Sequence, residues 1–208
     1  MLSTTEHDTT AIEELPFDEA LFYTPEEYLL RERVTLNRHE YHKGRIFPMS
    51  GASIRHNIIT ANLNKVFIQN IRDDYFIFGA NIRVHNPRTQ SYVYPDITIV
   101  SCDSMQFVDD KDDILLNPLL IIEILSKSTE SYDRTDKFDA YKGIDSLQEY
   151  VLVSQHTPHI EIFTRKNRLE WLYTEQFTIE SSILLHSIDV HLPLREVYGK
   201  VNFEKAPY

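Results

Sequence analysis

The chain has 208 residues, a formal net charge of −11 and a single cysteine, Cys102. This length is enough to bury a hydrophobic core, and one cysteine excludes an intrachain disulfide and a cysteine-rich zinc site. No apolar run is long enough to cross a membrane, and the N-terminus lacks the basic and apolar segments of a secretory signal. We therefore expect a cytoplasmic protein with no membrane partner.

The glycines exclude several phosphate-binding and catalytic loops. A dinucleotide fingerprint needs glycines two and three residues apart, a Walker A loop needs them five apart, and a hydrolase nucleophile elbow needs them four apart. The chain has five glycines, and the closest two are seven residues apart. None of these motifs is therefore present.

The negative charge is concentrated in two segments. Residues 1–22 hold six acids and no lysine or arginine, and residues 102–113 hold five acids against one lysine. The rest of the chain therefore has a net charge of only −1. Nucleic-acid-binding proteins usually carry a basic surface. The overall acidity argues only weakly against such a partner, because local basic patches can still form.

Residues 1–22 are polar and acidic, and we interpret them as a flexible tail. Residues 23–208 are interpreted as a single domain. Its first helix is predicted to start at Thr24, a good N-cap. Pro25 then occupies the first helical position and Glu27 completes a capping box.

The later pattern predicts strands and helices in mixed order. Leu119 to Leu125 is a short apolar run that predicts a central strand, and residues 128–142 predict a helix closed by Gly143. A basic turn at residues 165–168 is interpreted as solvated and dispensable for catalysis. The other expected elements are a hairpin over residues 38–50, a long helix over 53–71, strands over 75–85, 92–101, 149–154, 159–164 and 169–174, an acidic loop over 103–113, and a strand with a short helix over 188–208.

Glu123 interrupts the apolar run, and Asp96 begins another predicted strand after Pro95. A strand that is apolar on both faces is normally buried, and burying a lone carboxylate is costly unless it is paired, protonated or bound to a cation. Glu123 is therefore a candidate metal ligand or catalytic acid, unless it reaches solvent or an arginine at the strand end. Asp96 could simply cap a turn, but two carboxylates from adjacent strands can hold one hard divalent cation.

Three further residues could support such a site. Lys137 shares a mostly apolar helix face, so it either points at the sheet beside the carboxylates or extends its amine to water. Glu40 lies on a predicted strand, and His56 lies in the first turn of the long helix. The histidines around Glu40 lack the spacing of a zinc protease motif, and His56 could be an ordinary residue at a helix start.

Pro95-Asp96, followed 27 residues later by Glu123, resembles the PD-(D/E)XK nuclease signature. A longer ordered set of residues resembles the Uma-type restriction endonuclease family of the restriction-endonuclease-like superfamily. That set is Thr24-Pro25-Glu26-Glu27-Tyr28, Glu40-Tyr41, Tyr94-Pro95-Asp96, Ile121-Ile122-Glu123-Ile124-Leu125-Ser126, Ser128-Thr129, Tyr132-Asp133-Arg134, Lys137-Phe138 and Leu147-Gln148-Glu149-Tyr150-Val151-Leu152-Val153. No single motif in it is specific, whereas the ordered set is.

The resemblance implies an α/β (α+β) fold in which helices flank a central mixed β-sheet. It also implies Mg²⁺-dependent phosphodiester hydrolysis, with Mn²⁺ as a substitute. Asp96 and Glu123 would be metal ligands. Glu40 would be an acid from the early helix–strand region, and His56 a supporting site residue. DNA is the expected substrate, and a homodimer is expected only because nucleases that cut both strands often act as dimers.

The signature places a lysine two residues after the second acid, and this position is Leu125 here. The family supplies the lysine from the following helix, which points to Lys137. Lys127 is the other candidate, although it should lie past the end of the strand. The rival function is a catalytically silent nucleic-acid-binding or regulatory module on a nuclease fold, which the acidic composition leaves open.

Overall fold

The computed structural model describes residues 16–49, 51–127 and 130–204. The chain divides into two compact units, one ending at Met49 and the other beginning at Ser50. Most of the expected acidic tail, residues 1–15, lies outside the described residues. The tail and the single domain over residues 23–208 stay predictions.

The first unit contains a helix and a hairpin. Helix α1 (Pro25–Glu32) is capped by Thr24, and both hydrogen bonds of the predicted capping box are present. Strands β1 (His39–His42) and β2 (Arg45–Pro48) pair antiparallel. Lys43 and Gly44 both have positive φ, at 49° and 89°, as a two-residue hairpin turn requires. The tyrosines Tyr28 and Tyr41 are buried and stack with ring centres 5.1 Å apart.

The second unit is built on a six-stranded mixed sheet. The second unit as a whole contains the strands β3 (Tyr75–Gly79), β4 (Arg83–Asn86), β5 (Ser91–Val93), β6 (Ile97–Ser101), β7 (Ile114–Leu115), β8 (Leu120–Leu125), β9 (Glu149–Ser154), β10 (Ile160–Arg165), β11 (Trp171–Gln176), β12 (Ser182–Leu185) and β13 (Val190–Pro193). The sheet order is β11-β10-β9-β8-β6-β3, with β8 and β9 parallel and the other neighbours antiparallel. The expected mixed sheet and central strand are confirmed.

Both faces of the sheet are covered, which explains why all six residues of β8 are buried. Leu120, Ile122 and Ile124 belong to a core shared with helix α2 (Ile54–Asn70). Ile121 and Leu125 belong to a second core, shared with Tyr141. Since side chains alternate along a strand, Glu123 lies on the second face, with Ile121 and Leu125.

Helix α2 matches the predicted long helix. Ser53 is its N-cap and accepts a hydrogen bond from the His56 backbone N–H. Its buried stripe, Ile59, Leu63, Val66 and Phe67, has the spacing of one helix face and packs on the first side of the sheet. Elsewhere, β4 pairs antiparallel with β5 and parallel with β7, and β12 pairs with β13 ahead of a short helix α5 (Leu194–Val197). No helix among the described residues has the length and hydropathy to span a membrane.

The helix over residues 130–142 differs from the regular helix that the sequence predicts. It consists of α3 (Glu130–Tyr132), a π-helical turn (Asp133–Lys137) and α4 (Phe138–Lys142). A π-turn inserts one extra residue, and such bulges are common at functional sites. The helix over residues 130–142 is followed by Gly143, as predicted. Glycine is needed there because a larger residue would collide with a neighbouring side chain. A Cβ there would lie 2.6 Å from Nδ2 of Asn86, which donates to the Ala140 carbonyl.

Arg165 is not part of a solvated turn, contrary to the interpretation of residues 165–168. Its guanidinium donates hydrogen bonds to the backbone carbonyls of Leu147, Lys142 and Ile144, and lies 4.2 Å from the ring centre of Trp171. Two of these carbonyls lie at or just beyond the end of α4, where backbone acceptors lack helical partners. Arg165 therefore joins the end of the helix to the sheet.

We expect Arg165→Ala to lower the free energy of unfolding by about 2–3 kcal/mol, because three backbone carbonyls lose their donor. Urea denaturation followed by circular dichroism measures this change. Lys166→Ala and Arg168→Ala, which remove exposed charges from the same turn, should each change it by less than about 0.5 kcal/mol. Equal losses in all three variants would contradict the structural role of Arg165.

Candidate functional site

Glu123 is buried and paired. Its side chain is 4% exposed, and its Oε1 lies 3.1 Å from Nζ of Lys137. The Tyr141 hydroxyl donates a hydrogen bond to the same oxygen at 2.8 Å. The lysine and the tyrosine both come from the helix over residues 130–142, which covers this face of the sheet. The burial of a carboxylate in an apolar strand is thus offset by a charge and a hydrogen bond.

The π-turn brings a second carboxylate to Lys137. Asp133 and Lys137 are its first and last residues, and Nζ of Lys137 lies 3.5 Å from Oδ1 of Asp133. Both side chains are almost completely buried. One lysine is therefore shared between a carboxylate of the sheet and a carboxylate of its own helix, and the lysine amine is held in one place.

The Asp96 carboxylate lies against strand β8, which carries Glu123. Asp96 immediately precedes β6, whose antiparallel register with β8 pairs Ile97 with Ile122. Asp96 is the residue before Ile97, and Glu123 is the residue after Ile122. Asp96 Oδ2 also accepts a hydrogen bond from the Ile124 backbone N–H at 2.7 Å. One carboxylate oxygen of Asp96 is therefore held by the backbone of the residue that follows Glu123.

His56 is joined to Asp96. Its Nε2 lies 3.0 Å from Oδ1 of Asp96, and both side chains are about 15% exposed. The histidine projects from the first turn of α2, whose start is fixed by the Ser53 cap. His56 thus holds one oxygen of Asp96 while the backbone of β8 holds the other.

Gln155 completes this arrangement, and the sequence analysis did not identify it. It follows β9, is 3% exposed, and donates from Nε2 to the Leu125 carbonyl at 3.0 Å. Its Oε1 accepts a hydrogen bond from the Ser53 hydroxyl. Gln155 therefore links the end of β8 to the start of the helix that carries His56. A polar residue directly after a buried parallel strand was the available signal, because binding sites form beyond the carboxyl ends of such strands.

We expect Gln155→Leu to lower the free energy of unfolding by about 2–3 kcal/mol, because the Leu125 carbonyl and the Ser53 hydroxyl lose buried partners. Gln148→Leu is the matched control. Gln148 is half-buried and its side chain donates one long hydrogen bond, at 3.3 Å to Ser146. Urea denaturation of both variants measures the difference, and a Gln155 effect no larger than the control would contradict the linking role.

The other proposed site residues lie elsewhere or make no such contact. Glu40 is buried on β1 of the first unit, and its part in the site stays a prediction. Lys127 is exposed in the turn after β8 and forms no ion pair with a described residue. Within the described part of the chain, Lys137 is thus the lysine whose ion pair with Glu123 is observed.

Two carboxylates, those of Asp96 and Glu123, could bind a metal ion here. They are too few to provide all of its ligands from the protein. Among the described residues, no group of three or more histidine, cysteine, aspartate or glutamate side chains could hold a metal ion. Zinc and calcium sites need more protein ligands than this. Mg²⁺ is commonly bound by one or two carboxylates, with water and substrate phosphate as the remaining ligands. Asp96 and Glu123 fit that pattern.

Another buried glutamate, Glu149, is surrounded by neutral hydrogen-bond donors of the protein. It is fully buried at the start of β9 and accepts hydrogen bonds from the backbone N–H groups of His186 and Ser187. The hydroxyls of Ser187 and Thr164 also donate to it. These donors are all neutral and fix the loop between β12 and β13. Glu123 differs from Glu149 because its partner is a charged lysine, which also pairs with the carboxylate of Asp133.

Comparison with known proteins identifies the family of this chain. The Uma2 family model, described as "Putative restriction endonuclease", matches residues 25–194. The chain belongs to this family. Two similar proteins from Synechocystis sp. are named uncharacterized proteins sll1609 and slr1290. The first is 36% identical over 73% of this chain and 86% of its own length, and the second is 33% identical over 86% and 93%.

The fold is also found in a solved structure. A protein from Anabaena variabilis, described as "a putative nuclease belonging to DUF820", superimposes with a TM-score of 0.71 at 17% identity. The match covers 86% of this chain and 99% of that one. The expected fold class, a mixed sheet with flanking helices, is therefore confirmed for this Uma2 family member.

Proposed function

We propose that this Uma2 family member is an Mg²⁺-dependent endonuclease that hydrolyses phosphodiester bonds of DNA. The observation that carries the proposal is the hydrogen bond from the Ile124 backbone N–H to Asp96, beside Glu123, together with Lys137 3.1 Å from Glu123. The family description supports a nuclease, and the restriction endonuclease name supports DNA as the substrate.

Asp96 and Glu123 are the residues that would hold the metal. Both are acidic oxygen donors, which a hard dication prefers, and Glu123 is nearly excluded from bulk water. When bound, Mg²⁺ supplies positive charge at the scissile phosphate and lowers the pKa of water. Mn²⁺ accepts the same oxygen donors and is expected to replace it.

The remaining side chains orient the reacting groups. His56 and the Ile124 backbone N–H hold the two oxygens of Asp96, and Tyr141 holds Glu123. Lys137 keeps a positive charge beside Glu123, where it can orient the attacking water or stabilise negative charge on the phosphate. The leaving 3′ oxygen takes its proton from solvent.

A silent binding or regulatory module is the second candidate. The net charge of −11 favours it, because a nucleic-acid enzyme gains affinity from a basic surface. In that case the Lys137–Glu123 pair would serve stability alone. The two candidates differ in one respect that can be measured, which is whether a divalent cation binds and supports cleavage.

The test is cleavage of supercoiled plasmid by the full chain in Mg²⁺, in Mn²⁺ and in EDTA. The proposal predicts nicked or linear DNA with either metal and none in EDTA. Linear duplex, branched DNA and RNA in parallel reactions identify the substrate class. Failure to cleave any of them, together with no calorimetric signal for Mg²⁺ or Mn²⁺, would favour the silent module. Sedimentation of the same samples tests the expected homodimer.

A further inference from the structure

The buried glutamate Glu161 lies in the same row of the sheet as Glu123. The register aligns Glu123 of β8 with Leu152 of β9, and Leu152 with Glu161 of β10. Side chains aligned in this way share a face, and neighbouring strands are about 4.8 Å apart. The two glutamates therefore lie about 10 Å apart beneath the helix over residues 130–142.

The π-turn is attached to both glutamates. Its last residue, Lys137, pairs with Glu123, and its second residue, Arg134, forms an ion pair and hydrogen bond with Glu161. The Glu161 side chain is only 5% exposed. The hydrogen bond to Glu161 is the largest cause that raises the pKa of Arg134 above its ordinary value, so the arginine stays charged.

The two carboxylates that pair with Arg134 differ in their exposure to solvent. Its other ion pair is with Glu130, one helical turn earlier, whose side chain is 43% exposed. Exposed helical pairs contribute little, whereas a desolvated charge-assisted hydrogen bond is strong and directional. Glu161 also lies 3.1 Å from the Tyr173 hydroxyl and 3.6 Å from Nδ1 of His159, so the carboxylate is itself held in place.

We propose that Arg134 and Glu161 are positioning residues that fix the π-turn on the sheet and so set the place of the Lys137 amine beside Glu123. An extra residue in a helix can be accommodated at several positions, and with the bulge at residues 133–137 the Lys137 side chain is buried against the sheet. A second attachment point three residues from Lys137 selects that arrangement. The expected effect on the cleavage rate rests on the proposed function. The expected effect on the position of Lys137 does not.

The kinetic test is a double-mutant cycle on Arg134→Gln and Lys137→Ala, measured by plasmid cleavage over a range of substrate concentrations. Arg134→Gln should reduce kcat by about 10²-fold with little change in KM, since small displacements of a catalytic group have effects of this size. The double variant should be no slower than Lys137→Ala, because Arg134 acts through the lysine. Losses that multiply in the double variant would overturn the proposal.

Matched controls separate positioning from folding. Glu130→Gln removes the exposed partner of Arg134, and Arg195→Gln removes an exposed ion pair with Glu180. Both should stay within about twofold of the wild-type rate. Arg134→Lys keeps the charge without the planar fork and should recover part of kcat. It also serves if Arg134→Gln does not fold, and an Arg134→Lys rate equal to that of Lys137→Ala would overturn the proposal.

A second measurement does not depend on cleavage. Acylation of lysine amines, followed by mass spectrometry, reports the exposure of Lys137, with the exposed Lys142 as internal reference. Arg134→Gln should raise the acylation rate of Lys137 relative to Lys142 by about tenfold, because the π-turn opens more often. If the wild type cleaves no nucleic acid, the proposed function is wrong, but the acylation ratio still tests the positioning role of Arg134. An unchanged ratio in Arg134→Gln would overturn the positioning role.

Discussion

Replacing Glu123 by glutamine is expected to abolish metal-dependent cleavage, with a rate at least about 10³-fold below wild type. The amide has nearly the same shape and can still accept the Tyr141 hydrogen bond, but it lacks the charge that binds a dication. Loss of a metal ligand removes several kcal/mol of charge stabilisation at the phosphate, and each 1.36 kcal/mol corresponds to about tenfold in rate. Plasmid cleavage in Mg²⁺ at saturating enzyme measures the effect.

Glu149→Gln is the matched control for this substitution. Glu149 is as deeply buried and lies in the neighbouring strand, but its partners are neutral donors of the loop between β12 and β13. This variant should be less stable to urea and yet retain the rate of its folded fraction. Cleavage by Glu123→Gln at the wild-type rate would remove Glu123 from the reaction.

Lys137→Ala is expected to lower the cleavage rate by about 10²–10³-fold while metal affinity stays nearly unchanged. The reason is that removing one electrostatic group beside a developing anion usually has an effect of this size. The lysine pairs with Glu123 but supplies no ligand atom to a cation, because an ammonium has no lone pair to donate. Single-turnover cleavage and calorimetry with Mn²⁺ separate the two quantities.

Lys127→Ala is the control for the choice of lysine. Lys127 is exposed at the end of β8 and should be silent in both measurements. The opposite result, an essential Lys127 and a silent Lys137, would show that the catalytic lysine lies on the strand side of the site and not on the helix.

Several features of the fold and site could be predicted because they depend on local sequence. The capping box at Thr24 and the apolar spacing of helix α2 are properties of adjacent residues, and both are observed. Glu123 was recognisable because one charge in an otherwise apolar strand requires a partner. Lys137 could be placed because its helix neighbours Ala140 and Tyr141 needed the same apolar face, and its amine does lie near Glu123.

Other features depend on residues that are distant in the chain. The π-turn is selected by contacts with two strands, and nothing in the sequence of Asp133–Lys137 distinguishes it from an α-helical turn. Arg165 was interpreted as solvated because its acceptors are backbone carbonyls up to 23 residues away, which carry no sequence signal. Gln155 is similar, since its partner Ser53 lies 102 residues earlier.

The predicted strand boundaries show the same limit. Residues 75–85 and 92–101 were expected to be β-rich, without strand boundaries inside them, and the structure divides them among β3, β4, β5 and β6. β-rich composition predicts extended chain but not where it leaves one sheet and enters another. Strand β12 was missed for a related reason, because a short edge hairpin has only a few apolar residues to mark it.

Anomalous diffraction from crystals grown with Mn²⁺ is the decisive measurement of whether Asp96 and Glu123 together bind a divalent cation. We expect a manganese peak with oxygen atoms of both carboxylates about 2.0–2.6 Å from it, as for hard cations bound by oxygen. The same peak should be absent in crystals of Glu123→Gln. A fully occupied manganese site elsewhere in the protein, with none at these two carboxylates, would contradict the account.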